Sequence, residues 1–246
     1  MIKIENVEVF GWEAAIRGMR NPFNSWDKSD SRICCGGYIP SETTACKSCP
    51  KYNGVLCTNN NLERFMVIGE NDLNRMQSLI KAGSDHSKFM RYINVTLDIT
   101  APLYWWKEFD TYKVGTVRNS CSTMHKVTEK EFTLDDFSHE HIEMLAVEKL
   151  NNGKRRFYLF DQLLNDIIET LNIARAEFLK TNDKKYWWQI IQLLPSSYNQ
   201  KATVQLNYAV LRNMYHSRQN HKLDEWSGDF CKWIETLPYA KELICI

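Results

Sequence analysis

The chain has 246 residues and a mass of 29.0 kDa, enough for a sizeable core in one or two domains. Its 43% hydrophobic and 25% charged residues exclude a disordered, fibrous or collagen-like chain. With 31 basic and 30 acidic residues the net charge is +1, so no global field draws the protein to nucleic acid or to an anionic membrane.

The N-terminus, Met1 to Asn6, has no apolar run followed by small residues, and no stretch approaches the ~18 apolar residues of a membrane helix. A cytoplasmic location is expected. Reduced thiols follow from that location, so the eight cysteines read as metal ligands or buried residues rather than as a disulfide framework. Eight Trp, eleven Tyr and eleven Phe suggest packing, a flat ligand or an oligomer contact.

In chain order, Ile2, Ile4, Val7 and Val9 nearly alternate, and Trp12, Ala15, Ile16 and Met19 recur at helical spacing: a strand, then a helix. Residues 21–61 hold Pro22, Gly36, Gly37, Pro40, Pro50 and five cysteines with little apolar periodicity, and read as an irregular insertion. Asn71 or Asp72 caps a helix carrying Leu73, Met76, Leu79 and Ile80, with Gly83 beyond its end. Ile93, Val95, Leu97 and Ile99 alternate with polar residues, the pattern of a strand buried on one face.

Thr100 then stands as N-cap, with Pro102 in the first turn of a helix through Trp105, Trp106 and Phe109 that fades near Gly115. The segment Thr116 to Thr123 is rich in hydroxyl and amide side chains and reads as a binding loop. After residue 135 the pattern is nearly all helical. Leu159, Leu163, Ile167, Leu171 and Ala174 mark one helix, and Trp187, Ile190, Ile191 and Leu194 another that Pro195 stops. Two more cover roughly 200–217 and 224–237, the last closed by Pro238. With no linker or repeat, one α+β domain over 1–246 with a local insertion is expected.

The insertion presents Cys34, Cys35, Cys46, Cys49 and Cys57. Tetrahedral Zn²⁺ takes four thiolate or imidazole ligands, and Cys46 and Cys49 have knuckle spacing. A long irregular loop also needs a cross-link to be ordered. Zinc is therefore expected, with an iron–sulfur cluster as the alternative because Cys-x-x-Cys-Pro also occurs in cluster-binding loops. One of Cys34 and Cys35 is spare. Cys121, Cys231 and Cys245 are isolated and read as packing residues or bystanders. The chain lacks a Walker loop, GxGxxG and GxSxG, which argues against the common nucleotide triphosphatase, dinucleotide and hydrolase solutions.

Two distant segments carry a family resemblance. Ser84 to Thr123, followed by Leu194-Pro195 and by Asn207 to Arg218, resembles the flavin-dependent thymidylate synthases, and the chain outside the insertion can be laid on their fold. Asn207, Leu211, Asn213 and Arg218 keep the spacing of the family's late motif. Its early signature, Arg-His-Arg-x-x-Ser-x-Asn-Glu-x-Ser-x-Arg, is altered, with Thr111-Tyr112-Lys113 in place of Arg-His-Arg. Counted without gaps, Glu108 falls on a preceding Gln, Thr116 on the Ser and Arg118 on the Asn. A one-residue insertion instead matches Asn119 and Ser122 to Asn and Ser. Ser87 meets the flavin-binding His-x-Ser, while the adjoining Glu-His becomes Met90-Arg91.

The resemblance implies an antiparallel sheet with a helical half, as in thymidylate-synthase-complementing proteins, in a phage or bacterial member of the family. It implies C5 alkylation of dUMP or a related pyrimidine deoxynucleotide, using reduced FAD and a methylene-folate. Ser87, Glu108, Tyr112, Lys113, Asn207 and Asn213 take the side of FAD. Thr116, Arg118, Asn119, Ser120, Ser122 and Arg218 take the side of the nucleotide, Arg218 being the catalytic group that stabilises charge developing on the uracil. A homotetramer is implied too, with the Trp105-Trp106 and Trp187-Trp188 pairs as apolar contacts. The altered signature keeps a second reading open, a catalytically silent nucleotide-binding or regulatory protein on the same fold.

Overall fold

A computed structural model describes residues 2–34, 65–151 and 153–246. Residues 35–61 of the predicted insertion, and with them Cys35, Cys46, Cys49 and Cys57, lie outside the described residues.

The chain opens with β1 (Lys3–Phe10) and α1 (Trp12–Arg20), the strand and helix read from the sequence. Gly11 joins them at φ 93°, and a Cβ on it would fall 1.9 Å from the carbonyl oxygen of Tyr92, so only glycine fits. The short strands β2 (Arg32–Ile33) and β3 (Met66–Val67) pair antiparallel. α2 (Glu70–Lys81) follows, with Gly83 beyond it at φ 110° as expected. Its cap differs from the expectation. Gly69 holds the N-cap position, and the amides of Asn71 and Asp72 donate to the Asp30 carboxylate at 2.8 and 3.0 Å. A side chain distant in sequence satisfies these helix-end donors, and Asp72 is instead fully buried.

β4 (Asn94–Pro102) buries Val95, Leu97, Ile99 and Ala101 in strict alternation. The strand runs through Thr100, which is therefore not a helix cap. α3 (Leu103–Phe109) starts later, its first amides donating to the carbonyls of Tyr198 and Ser196, each at 3.0 Å. The predicted binding loop is also corrected: β5 (Val117–Ser120) is an edge strand of a four-stranded sheet in the order β1-β4-β8-β5, and Ser122 caps α4 (Thr123–Lys126).

The expectation of nearly continuous helix after residue 135 fails at two places. β6 (Ala146–Asn151) and β7 (Lys154–Leu159) form an antiparallel hairpin ahead of α5 (Phe160–Thr181) and α6 (Lys184–Leu193). β8 (Asn199–Asn207) then occupies the start of the third predicted helix, with Ala202, Val204 and Leu206 buried and Lys201, Thr203 and Gln205 exposed. That period of two is a strand signature. α7 (Tyr208–Arg218) follows directly, and after one π-helical turn come α8 (Cys231–Glu235) and α9 (Ala240–Leu243). Among the described residues, no helix is long and apolar enough to cross a membrane.

The chain divides into two compact units, one of Met1–Asn6, Leu97–Lys113 and Val117–Val204, the other of Val7–Thr96, Val114–Thr116 and Gln205–Ile246. In the first, Val127, Phe132, Phe137, Leu171 and Ile190 form a core beside α5 and α6, and Trp105, Trp106 and Phe109 are buried with mutual ring distances of 5.0 to 5.2 Å. In the second, Trp12 sets its ring edge-on to Tyr208 at 5.3 Å, and Met76, Ile93, Leu211, Met214 and Ile234 are buried. Each such side chain contributes ~1.5–3 kcal/mol of burial.

Candidate functional site

In the first unit, α3 and β5 bring Trp106, Asp110 and Arg118 together. The Arg118 guanidinium lies 4.0 Å over the Trp106 ring, donates from Nη1 to Asp110 Oδ2 at 2.6 Å and from Nη2 to Gln200 Oε1 at 2.5 Å. A residue expected on the side of the nucleotide is thus held by a ring, a carboxylate and an amide of its own chain. The orientation is fixed, because a stacked guanidinium with two anchored nitrogens has little rotamer freedom left.

Gln200 is the residue that the sequence did not single out. Its Nε2 donates to Cys121 O at 2.7 Å and to Thr123 Oγ1 at 3.0 Å, while its backbone carbonyl accepts the Trp106 indole N–H at 2.9 Å. One side chain on β8 therefore sets both Arg118 and the turn between β5 and α4. Nothing local in Asn199-Gln200-Lys201 announces that role, since every partner is at least 77 residues away.

Of the other predicted residues in this unit, Glu108 and Tyr112 are half-buried and Lys113, Asn119 and Ser120 are exposed. Ser122 uses its hydroxyl to accept the His125 amide at 3.3 Å. A cavity of about 410 Å³ opens beside this turn, lined by Cys121, Ser122, Thr123, Lys126, Tyr198 and Gln200 among others. Its rim is charge-balanced: Lys126 pairs with Glu129, Lys130 with Asp136, and Lys201 with Asp98 at 3.2 Å. Hydrogen bonds from Thr203, Asn6 and Lys201 hold the Asp98 carboxyl down to about 2, so that pair is charged throughout the neutral range.

In the second unit, Asn207 ends β8 and caps α7, its Oδ1 accepting the Val210 amide at 3.1 Å. Gly115, at φ 78°, packs against that cap: a Cβ on it would lie 3.0 Å from Asn207 Nδ2 and 3.1 Å from Val210 Cγ2. The turn therefore brings Gly115 to the start of α7, and the hydroxyl of the next residue, Thr116, is buried without a hydrogen-bond partner among the described residues. Arg218 closes α7, half-buried, its guanidinium 5.0 Å over the Trp226 ring. Asn213 is exposed on the same helix, and Ser87 donates its hydroxyl to Gly83 O at 3.1 Å.

Three expectations about the remaining residues meet the structure directly. Trp105 and Trp106 are 0% and 2% exposed, so they pack within the chain and offer no contact surface, whereas Trp188 is exposed. Cys231 is buried, and burial pushes its thiol up to about 11, as an inert packing residue requires. Cys34 is buried against Val67 and Phe65. Among the described residues, no three His, Cys, Asp or Glu side chains are grouped to hold a metal ion.

No family model matches the chain, and no curated protein matches it. Solved structures do, among them the following two. A crystal structure of thymidylate synthase X from Helicobacter pylori with FAD and dUMP aligns with a TM-score of 0.61 at 13% identity, covering 99% of this chain and 97% of that one. A second structure of the flavin-dependent thymidylate synthase ThyX from Helicobacter pylori, also complexed with FAD and dUMP, gives 0.60 at 13% identity over 98% and 97%. The mixed helix and sheet architecture of this chain is thus the fold of those flavin-dependent thymidylate synthases over nearly their whole length.

Proposed function

We propose that the protein binds dUMP or a related pyrimidine deoxynucleotide and alkylates its C5, with reduced FAD and a methylene-folate as co-reactants, in a homotetramer. The observation that carries this reading is the full-length likeness to two chains that hold FAD and dUMP, combined with an arginine, Arg218, at the closing position of the matching late motif. In this reading Arg218 meets the pyrimidine and stabilises negative charge on the ring, and no protein nucleophile is needed. Thr116, Asn119, Ser120 and Ser122 are assigned to the phosphate side of the nucleotide in this reading. Arg118 positions that segment through Asp110 and Gln200.

The residues on the flavin side suit FAD in part. Exposed Lys113 and Asn213 offer an ammonium and an amide for phosphate and ring oxygens, and Tyr112 offers a ring for stacking, with Glu108 beside them in sequence. Asn207 and Ser87 already use their side-chain oxygens within the chain. When bound, FAD supplies the electrons and the handling of the one-carbon unit.

A specific observation favours the silent-binder reading: Thr111-Tyr112-Lys113 replaces two of three signature basic side chains, and Arg118 is committed to Asp110 and Gln200. Charge-assisted bonds of ~1.5–3 kcal/mol each are lost in that way. The visible spectrum of the purified protein separates the two. Flavin bands that persist through gel filtration support the enzyme; a colourless protein that still binds dUMP supports the silent binder.

The cysteine cluster completes the proposal. Cys46, Cys49, Cys57 and one of Cys34 or Cys35 hold zinc, an iron–sulfur cluster being the other candidate. Elemental analysis is expected to find close to one zinc per chain, which Cys49→Ser releases and Cys231→Ser leaves unchanged. A preparation free of zinc and iron would overturn this part alone.

A further inference from the structure

The β6–β7 hairpin carries large apolar side chains that stand exposed among the described residues. Its register pairs Ala146 with Leu159, Glu148 with Phe157 and Leu150 with Arg155, which places these six residues on one face. Leu150 is 76% exposed and Phe157 64%, and just ahead of β6 Met144 is 88% exposed. Soluble chains expose isolated apolar residues, but a contiguous group of this kind marks a contact surface. A two-stranded ribbon is also marginal by itself and needs packing on one face to persist.

We propose that this face docks against the same face of a second copy of the chain, about a two-fold axis. The charges on it identify the occupant. In the middle of the apolar row Arg155 Nε meets Glu148 Oε1 at 3.2 Å, with side-chain exposures of 75% and 44%. One acid and one base on a self-facing surface are their own complement: under a two-fold rotation Glu148 approaches Arg155 of the second copy and Arg155 approaches its Glu148. An unrelated partner would have to reproduce both the apolar row and the reversed charges. A net charge of +1 leaves little repulsion to oppose self-association. This inference rests on the homo-oligomer part of the proposed function and gives it a surface, replacing the internal Trp105-Trp106 pair.

Sedimentation velocity of the full chain over a hundredfold concentration range tests it. Wild type is expected to sediment as a multiple of 29.0 kDa. Phe157→Glu adds an acid beside Glu148 and is expected to weaken assembly more than tenfold, shifting mass to a smaller species with unchanged circular dichroism. If that variant loses helical signal, the charge swap decides: Glu148→Arg alone weakens assembly, and Glu148→Arg with Arg155→Glu restores it. A wild type of single-chain mass at every concentration overturns both the homo-oligomer reading and this surface. An assembled wild type whose mass neither Phe157→Glu nor Glu148→Arg changes overturns the surface alone.

Discussion

Replacing Asp72 with Ala is expected to destabilise the protein by ~3–5 kcal/mol, the usual cost of removing one partner of a buried ion pair. Arg20 is 1% exposed and Asp72 0%, and Arg20 Nε donates to Asp72 Oδ1 at 2.7 Å. The other carboxylate oxygen accepts the hydroxyls of Ser29 and Ser31, each at 2.6 Å. Loss of the carboxylate strands the Arg20 charge, which keeps only the Ser25 carbonyl at 3.2 Å as a described acceptor, and frees the segment 29–31 that leads toward β2. Asp72→Asn keeps the shape and some hydrogen bonds, so it should fall between wild type and Ala. Urea titrations with equal slopes give the difference directly, and a loss below ~1 kcal/mol would show the pair to be dispensable.

The same pair gives a pH dependence of defined sign. Burial raises the Asp72 pKa, but the Ser29 and Ser31 hydroxyls and the Arg20 guanidinium outweigh it and hold the carboxyl below the ordinary carboxylate value. A depressed native pKa adds stability above the unfolded-state value, and that stability is lost as pH falls through the native one. Wild type should therefore lose stability below about pH 4, and Asp72→Ala should lack this component of the acid transition.

The second large effect concerns the nucleotide. Arg218→Ala is expected to weaken dUMP binding more than tenfold, which is ~1.4 kcal/mol or more, within the range of a lost charged hydrogen bond. Arg218 sits in the last turn of α7, where a cation also complements the helix dipole, and its place over Trp226 orients the fork before any ligand arrives. A purely structural Arg218 would lower the melting temperature in the Ala variant and leave dUMP affinity unchanged. Arg218→Lys keeps the charge but not the planar fork, so an intermediate affinity is expected if the fork reads the pyrimidine.

Where burial follows local periodicity, the sequence is a good guide to this fold. β1, α1, α2, β4 and the long α5 all appear where the apolar spacing puts them. β8 does not stand out in the sequence because Tyr208 and Leu211 continue its apolar pattern into α7, so a single helical run absorbs a strand and the helix that begins directly after it. β5 does not stand out either, because Arg118, Asn119 and Ser120 suit a turn, and only its place at the edge of the sheet makes them a strand. The β6–β7 hairpin has an exposed, interrupted apolar pattern that resembles neither period.

The candidate site divides along the same line. That Asn213 and Arg218 share one helix with Asn207 at its cap follows from the spacing of the late motif, and α7 has that form. The restraint on Arg118 does not follow from spacing, because Asp110 sits on the turn after α3 and Gln200 lies 82 residues downstream on β8. Asp30 capping α2 and Asp72 holding Arg20 are of the same kind, polar partners brought together by the fold and invisible in local pattern.

A calorimetric titration of dUMP into the wild-type protein at moderate ionic strength, before any flavin is added, shows directly whether the chain holds a pyrimidine nucleotide. Saturable binding with one nucleotide per chain, weakened more than tenfold by Arg218→Ala, is the predicted result. A titration that yields no heat beyond dilution up to millimolar dUMP, with the protein folded, would contradict both the enzyme and the silent-binder readings and leave only the fold.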